Sequence, residues 1–449
     1  MDTVLILLQG AVVLGGIFLG VKAGGVGLGL WGGVGTAVLV FAFGLEPADP
    51  PVDAVFIILA VILAASAMQA AGGIDWLVSV AAKIIRRRPA AVTYVAPLVS
   101  LGFCAGAGTG NIVYPLMPVV YDVAYENDVR PERPMSVMVV ASALAVVASP
   151  VSAATAAMLT LVEDEGVSLA MLLAITVPAV TVGVLLAATI MLRRGLNPSE
   201  DPEIQAKIAA GELLPPGHEV AVHTKPDVPQ GTRVGMASAL IFVGGVFSIV
   251  TLGLFEELRP TVENADGELV PLSMSTTIQL VMFVTAAIIV VIGRVGAKDI
   301  TAQEVWGAGL TSAIALFGVA WMASTFIEAN EDSIVSFLSP IAEAAPLLLA
   351  VALFLTAALT TSQSTATRTM IPIGLAAGLT PAAAVGMWPA VGGVLFFPAN
   401  GPQIASIEFD QSGTTRIPDF ILAHSFQIPM VVAVSTAVLV GYGISIVAT

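Results

Sequence analysis

Two polar islands interrupt otherwise apolar sequence, and they hold the side chains with chemistry to offer. The first, Gly106-Ala-Gly-Thr-Gly-Asn111, lies in a stretch from Pro89 to Tyr121 that carries no charge. The second, Thr360-Thr-Ser-Gln-Ser-Thr-Ala-Thr-Arg368, lies between Pro346 and Ile407, where Arg368 is the only charged residue. Gly108, Thr109, Gly110 and Asn111 combine backbone freedom with a hydroxyl and an amide, and Ser362, Gln363, Ser364 and Thr365 form a matching cluster. Such groups can donate hydrogen bonds to a carboxylate or offer carbonyl oxygens to a cation. Arg368 is the sharpest single residue. A guanidinium is costly inside a bilayer and faces a cavity, a partner or a substrate. Its planar fork suits bidentate binding of a carboxylate. The competing roles are plain ones: glycines that let helices approach, hydroxyls bonded back to their own helix, and Arg368 paired with Glu343 or Glu328.

Chain breakers accompany both islands. Pro115 and Pro372 follow them, and further on come Ser149-Pro-Val-Ser152 and Pro398-Ala-Asn-Gly-Pro402. Pro150, Pro398 and Pro402 are expected to unwind their helices, leaving Ser149, Ser152, Asn400 and Gly401 to line a site. Proline alone only kinks a helix. In lipid, however, non-helical backbone persists only where protein or a watery cavity surrounds it. Paired breaks at corresponding places in two halves point to a transporter's binding site.

These features must be positioned by membrane helices. The chain is 57% hydrophobic and 11% charged over 449 residues, whereas a soluble domain carries about 25% charge. Its mean hydropathy is +0.95. Apolar segments of roughly 20 residues recur throughout, which suits helical spans and not a barrel. Candidate spans are 4–21, 25–43, 53–71, 135–160 and 168–192, then 234–255, 275–293, 306–327, 381–407 and 419–447. The islands sit in 91–121 and 346–379, which read as re-entrant hairpins. Residues 1–192 and 234–449 are then two repeats, joined by a polar cytoplasmic linker, 193–233. The stretch from Ile74 to Arg88 reads as an amphipathic helix at the inner interface.

Basic residues gather on the cytoplasmic ends of spans. With both termini outside, only Arg259 of the 17 Lys and Arg falls outside and only Arg368 lies within the membrane. This layout makes the two hairpins enter from opposite sides, so the repeats are inverted. The single cysteine, Cys104, excludes a disulfide within the chain. No nucleotide-binding glycine loop, metalloprotease or hydrolase motif is present. His218 and His223 fall in the linker, and His424 reads as an interface residue opening the last span.

The chain resembles the anaerobic C4-dicarboxylate transporters of the Dcu type. The resemblance is carried by Cys104-Ala-Gly-Ala-Gly-Thr-Gly110, Arg130-Pro-Glu-Arg-Pro-Met135, Ala148-Ser-Pro-Val-Ser152, Phe409-Asp-Gln-Ser-Gly-Thr-Thr415 and His424-Ser-Phe426. Pro50-Pro-Val-Asp53 and Ala71-Gly-Gly-Ile-Asp75 are also similar. It implies uptake or exchange of fumarate, succinate, malate or aspartate across a bacterial inner membrane. It also implies the ion-transporter superfamily, in which a hairpin-bearing domain moves like an elevator against a scaffold, and such scaffolds commonly pair as homodimers. The expectation is therefore an all-α polytopic membrane protein of two inverted repeats, each with about five transmembrane helices and one re-entrant hairpin. It would be a secondary transporter with a small dicarboxylate substrate and the lipid bilayer as partners, without nucleic acid, cofactor or metal. A coupling Na+ or H+ is left open. A carrier for another small organic anion, or an anion channel, is the alternative.

Overall fold

The computed structural model describes residues 2–23, 26–163, 165–216, 232–263, 269–330, 333, 344–398, 400–418 and 423–448. His218, His223 and Glu343 lie outside the described residues, as do positions 419–422 at the start of the last expected span.

A backbone in lipid must satisfy its own polar groups, and the apolar sequence accordingly coils into helices. α1 (Asp2–Ala23), α2 (Gly27–Phe41) and α3 (Val52–Ala70) open the chain. Gly72, at φ +79°, then admits a 73° bend into α4 (Gly73–Arg86). A left-handed φ suits glycine because it lacks Cβ. α4 buries Leu77, Val78, Ala81 and Ile85 and exposes Asp75, Lys83 and Arg86, the amphipathic helix that the sequence predicts.

The first hairpin follows as α5 (Val92–Ala107), a 3-10 segment (Gly110–Leu116) and α6 (Met117–Glu126). Next come α7 (Glu132–Leu144) and α8 (Ala153–Val162), two pieces of one broken helix, and then α9 (Leu169–Met191). The linker contains α10 (Pro202–Ala209), capped by the Asp201 carboxylate.

The second half begins with α11 (Arg233–Leu254). A small antiparallel ribbon of β1 (Thr261–Glu263) and β2 (Leu269–Pro271) follows, with Thr261 opposite Pro271, a feature the hydropathy pattern does not reveal. α12 (Met274–Gly293), α13 (Ala297–Thr301) and α14 (Glu304–Ala329) lead to the second hairpin, α15 (Leu348–Thr360) and α16 (Gln363–Ala376). α17 (Pro381–Met387), a 3-10 segment (Trp388–Leu395) and α18 (Gly401–Phe409) form the second broken helix, and α19 (Gln427–Ala448) ends the chain.

The protein is therefore an all-α polytopic membrane protein. Among the described residues, six helices are long and apolar enough to cross a membrane, or seven with the bent α3–α4 pair. This is fewer than ten, because 135–160 and 381–407 are broken into short pieces and the apolar stretches Val4–Gly20 and Gly27–Phe41 are too short to count as full spans. The six include Pro89–Ala107, a limb of the first hairpin, so length alone does not separate a limb from a span.

Packing divides the helices into two groups. α2 lies along α14 and α1, α3 along α12 and α14, and α11 along α12, forming a frame. A methyl group at Gly318 would collide with the Gly29 carbonyl, so α2 and α14 meet backbone to backbone. α5 packs on α7, α9 on α19, α15 on α16 and on 388–395, and α17 on α19, forming a hairpin-bearing group. The groups meet where α14 faces α16 and α8, α3 faces α8, and α11 faces α9 and α5, and α4 packs against both groups.

The first part of the linker is tied to the hairpin-bearing group. Arg130 binds Glu132 at 2.8 Å and Asp201 at 2.6 Å. Burial works against the Arg130 guanidinium, but these two carboxylates hold its pKa above the usual value. Burial likewise opposes the Asp201 carboxylate, yet the Arg130 bond and the Glu203 and Ile204 N–H groups hold its pKa below the ordinary range. Tyr125 donates to Leu214 O at 2.6 Å, and Lys207 Nζ donates to Ser412 O at 2.9 Å. Two of the resemblance motifs meet at this end of the molecule. The Glu132 N–H donates to Thr414 Oγ1 at 3.0 Å, and Asp410 Oδ2 accepts from Thr414 Oγ1 at 2.7 Å and the Thr415 N–H at 2.6 Å.

Candidate functional site

Each of the four breaks ends where a helix restarts, and a predicted site residue stands at each restart. Thr109 precedes the 3-10 segment and accepts from the Asn111 N–H at 3.2 Å. Ser152 caps α8 through the Thr155 N–H at 3.0 Å, and Ser362 caps α16 through the Thr365 N–H at 3.2 Å. Asn400 occupies the same position before α18. The oxygens of Thr109, Ser152 and Ser362 thus serve their own helix, as local hydroxyl bonding favours. The O–H groups of Thr109 and Ser362 keep the capacity to donate elsewhere, whereas that of Ser152 donates to Val146 O at 2.7 Å.

The breaks come together around the end of α7. Gly108, at φ +71°, lies so close to the Val151 carbonyl that a Cβ there would sit 2.7 Å from it. Gly110 lies against the Ser142 carbonyl. From the second tip, Gln363 Nε2 donates to Ala143 O at 2.8 Å. The Tyr114 hydroxyl lies against Gly401, bringing the first hairpin onto the second broken helix. The second hairpin is tied to that broken helix too, because Trp388 Nε1 donates to Thr367 Oγ1 at 2.8 Å. Ser149 is buried and accepts from the Val151 N–H at 3.2 Å.

A cavity of about 140 Å³ lies between the first tip and the frame, lined by Thr109, Asn111 and Ser152 on one wall and Ile58, Val61 and Val305 on the other. Asn111 is exposed to it, whereas Ser152 is buried. Gly108 also lines it, but Ser362, Gln363, Thr365, Asn400 and Gly401 are not among its described lining residues. Ser364 is half-buried on the first turn of α16, with the buried Thr365 beside it.

Arg368 lies elsewhere. It is buried on α16 and borders a second chamber of about 580 Å³, shared with Asp49, Asp53, Glu163, Ser273 and Ser324. Six residues separate it from Ser362, about 9 Å along a helix. Of its sequence-predicted acidic partners, Glu343 is outside the described residues and Glu328 sits exposed one turn beyond Ser324. Glu163 reaches across the two groups, accepting from the Met274 N–H at 3.0 Å and from Ser275 Oγ at 3.3 Å.

Two residues that sequence reasoning passed over, and one that it placed at an interface, hold the breaks. Thr155 Oγ1 donates to Ser149 O at 2.6 Å, and Gln403 Nε2 donates to Leu395 O at 2.9 Å. Both stand three residues after a helix cap, the capping-box position, which is the signal available in sequence. His424 is not an interface residue: it is buried, and its Nε2 lies 3.0 Å from Phe396 O. The Phe426 N–H donates to its Nδ1 at 3.2 Å, so Nε2 carries the proton and donates to that carbonyl.

Helices broken within apolar sequence, capped restarts, and cavities that bring hydroxyl and amide groups against an aliphatic frame suit a membrane transporter. A profile of the anaerobic C4-dicarboxylate membrane transporters matches residues 5–449, and the chain belongs to that family. It is 35% identical to the anaerobic C4-dicarboxylate transporter DcuB of Escherichia coli O6:H1 over 444 residues, 98% of each chain. It is 34% identical over 431 residues to the C4-dicarboxylate transporter DcuA of Wolinella succinogenes, covering 96% of this chain and 97% of that one. Among solved structures, Neisseria gonorrhoeae MtrF, assigned to a class of antimetabolite efflux pumps, shares the fold with a TM-score of 0.55 at 11% identity, over 90% of this chain and 84% of that one.

Proposed function

We propose that the chain carries C4-dicarboxylates such as fumarate, succinate, malate or aspartate across a bacterial inner membrane. Transport proceeds by exchange or by ion-coupled uptake, with Na+ or H+ as the coupling ion in the second case. The observation that carries this reading is the meeting of capped helix restarts around residues 142–152, in a chain that matches a C4-dicarboxylate transporter family along its length. Helix starts favour anions, because their free N–H groups and partial positive charge face outward. Thr109 and Asn111 supply hydroxyl and amide donors without a fixed charge, Ser152 holds the backbone of the wall beside them, and the aliphatic wall from α3 and α14 suits a short carbon chain. Gln363, Ser364, Asn400 and Gly401 complete the site when the second tip and second break close on the substrate.

Arg368 acts in the adjoining chamber, where it meets a substrate carboxylate against the background of Asp49, Asp53 and Glu163. The two halves are inverted repeats with both termini outside. The hairpin-bearing group slides against the frame like an elevator, and the frame pairs in a homodimer. The division of packing supports this motion, since the most extensive helix–helix contacts, α9 with α19 and α2 with α14, lie within one group or the other. Counterflow in proteoliposomes is the test: internal unlabelled succinate should accelerate uptake of labelled succinate or aspartate. Uptake indifferent to internal succinate and without saturation would favour an anion channel. Saturable exchange of a different organic anion only would favour another substrate class.

A further inference from the structure

Both helix breaks contain a proline, and a proline removes one donor from the helical ladder. In the first break, the Val146 carbonyl would accept from residue 150 in α-helical register, but Pro150 has no N–H. Ser152 Oγ donates to that carbonyl at 2.7 Å, and Thr155 Oγ1, 3.3 Å from it, donates its single proton to Ser149 O at 2.6 Å. In the second break the preceding segment is 3-10, so the Leu395 carbonyl would accept from residue 398, and Pro398 has no N–H either. Gln403 Nε2 takes it at 2.9 Å, and Gln403 Oε1 accepts from the Asn400 N–H at 3.3 Å. Thr155 and Gln403 are both buried, and each stands three residues after the cap of the helix that follows its break.

We infer that Thr155 and Gln403 are positioning residues of the transport site: Gln403 returns to its break the donor that Pro398 removed, and Thr155 pins the Ser149 carbonyl beside Ser152, which replaces the donor lost at Pro150. The inference rests on the reading that the breaks flank the substrate. Val151, Ser152, Ala153 and Ala156 line the tip cavity, so whatever fixes residues 146–152 fixes the wall a substrate would touch. Gln403 does the same for the loop between Leu395 and Gly401, with His424 holding the next carbonyl, Phe396 O. A side chain that acts by preorganising backbone raises affinity without touching the substrate itself. Both halves thus hold the break with side chains, the Ser152 hydroxyl supported by Thr155 in the α-helical break and the longer Gln403 amide in the 3-10 break.

The test compares Thr155→Val, Thr155→Ser and Gln403→Met with the parent protein, reading KM and maximal rate of succinate counterflow together with thermal stability. Valine keeps the shape of threonine without its donor, whereas serine keeps the donor. Thr155→Val and Gln403→Met should each raise KM about tenfold, the scale of one lost buried hydrogen bond. The maximal rate should change far less, and Thr155→Ser should restore KM. Lower stability with unchanged KM in the valine and methionine variants would make both residues merely structural and overturn the inference. Should Thr155→Val fail to accumulate, Gln403→Met carries the same two outcomes. A parent protein inert toward every C4-dicarboxylate would remove the premise and the positioning role with it, which separates that failure from an unchanged KM in an active parent.

Discussion

The two hairpins turn by different means and restart in the same way. The first turns through Gly108 at φ +71° and restarts as a 3-10 segment behind Thr109. The second turns through Thr361 at φ +50°, a conformation that costs a β-branched residue energy, and restarts as a regular α-helix behind Ser362. What the halves share is a polar cap on the helix beyond the break, whereas the turn residue and the type of helix vary. Gly108 is also constrained by its neighbour Val151, while Thr361 is exposed. The first tip is therefore fixed by close packing and the second by its own local conformation.

That contrast breaks most sharply at the turn residues. Gly108→Ala places a methyl against the Val151 carbonyl in a left-handed conformation, and should destabilise the protein by about 2 kcal/mol or more and abolish exchange. Thr361→Gly should instead raise stability by up to about 1 kcal/mol, because glycine accepts the positive φ. Thermal unfolding of the two purified variants checks this, and equal losses at both tips would show that the second turn is packed as tightly as the first.

Next in size is Arg368, which borders its own chamber apart from the first tip. Arg368→Ala should weaken apparent affinity for succinate about tenfold or more, the scale of a lost charge-assisted hydrogen bond. Arg368→Lys should recover only part of it, since an ammonium lacks the planar fork. Transport kinetics with succinate and a monocarboxylate analogue should show the loss only for the dicarboxylate. An unstable variant with normal affinity would make Arg368 a structural residue of α16.

A smaller effect is expected where Glu163 crosses from the hairpin-bearing group to the start of α12. A carboxylate at a helix N-terminus is worth roughly 0.3–1 kcal/mol, so, on the proposed sliding of the hairpin-bearing group, Glu163→Gln should change the maximal exchange rate about two- to fivefold by releasing one of its states. An unaltered rate would mean that α8 and α12 do not separate during turnover.

The smallest effect concerns acid. The Asp201 carboxylate has its pKa below the ordinary 3.8 because of Arg130 and two N–H groups, so its contribution to stability is complete above that value. The contribution is lost as pH falls through the lower native value. Asp201→Asn should flatten the fall in thermal stability below about pH 4 and leave it unchanged in steepness at neutral pH. An identical acid profile in parent and variant would place the acid-sensitive contact elsewhere.

Much of this was legible in sequence because breakers and polar residues stand out in apolar runs. The islands at 106–111 and 360–368, the breaks at Pro150 and Pro398, and the amphipathic α4 all read correctly as elements. The placement of Arg368 did not, because a run of polar residues looks like one cluster until helical rise draws it out along an axis. Thr155 and Gln403 were hidden for another reason. The role of Gln403 depends on which carbonyl a proline leaves without a donor in a 3-10 approach, and that of Thr155 on the path of the broken backbone back to Ser149 O. His424 seemed to open a span, but the helix begins at Gln427, and the preceding motif folds inward to hold Phe396 O. The β1–β2 ribbon is too short to leave a periodic signal.

The central claim is that both tips, unlike as they are, serve one dicarboxylate site. Its most direct test is substrate protection of cysteines placed singly at Asn111 and Ser364 in a Cys104→Ala background, using a thiol reagent on protein in proteoliposomes. The expected result is that succinate slows labelling at both positions, with half-protection at the same succinate concentration, while acetate slows neither. Protection at only one position, or half-protection at clearly different concentrations, would contradict a single shared site.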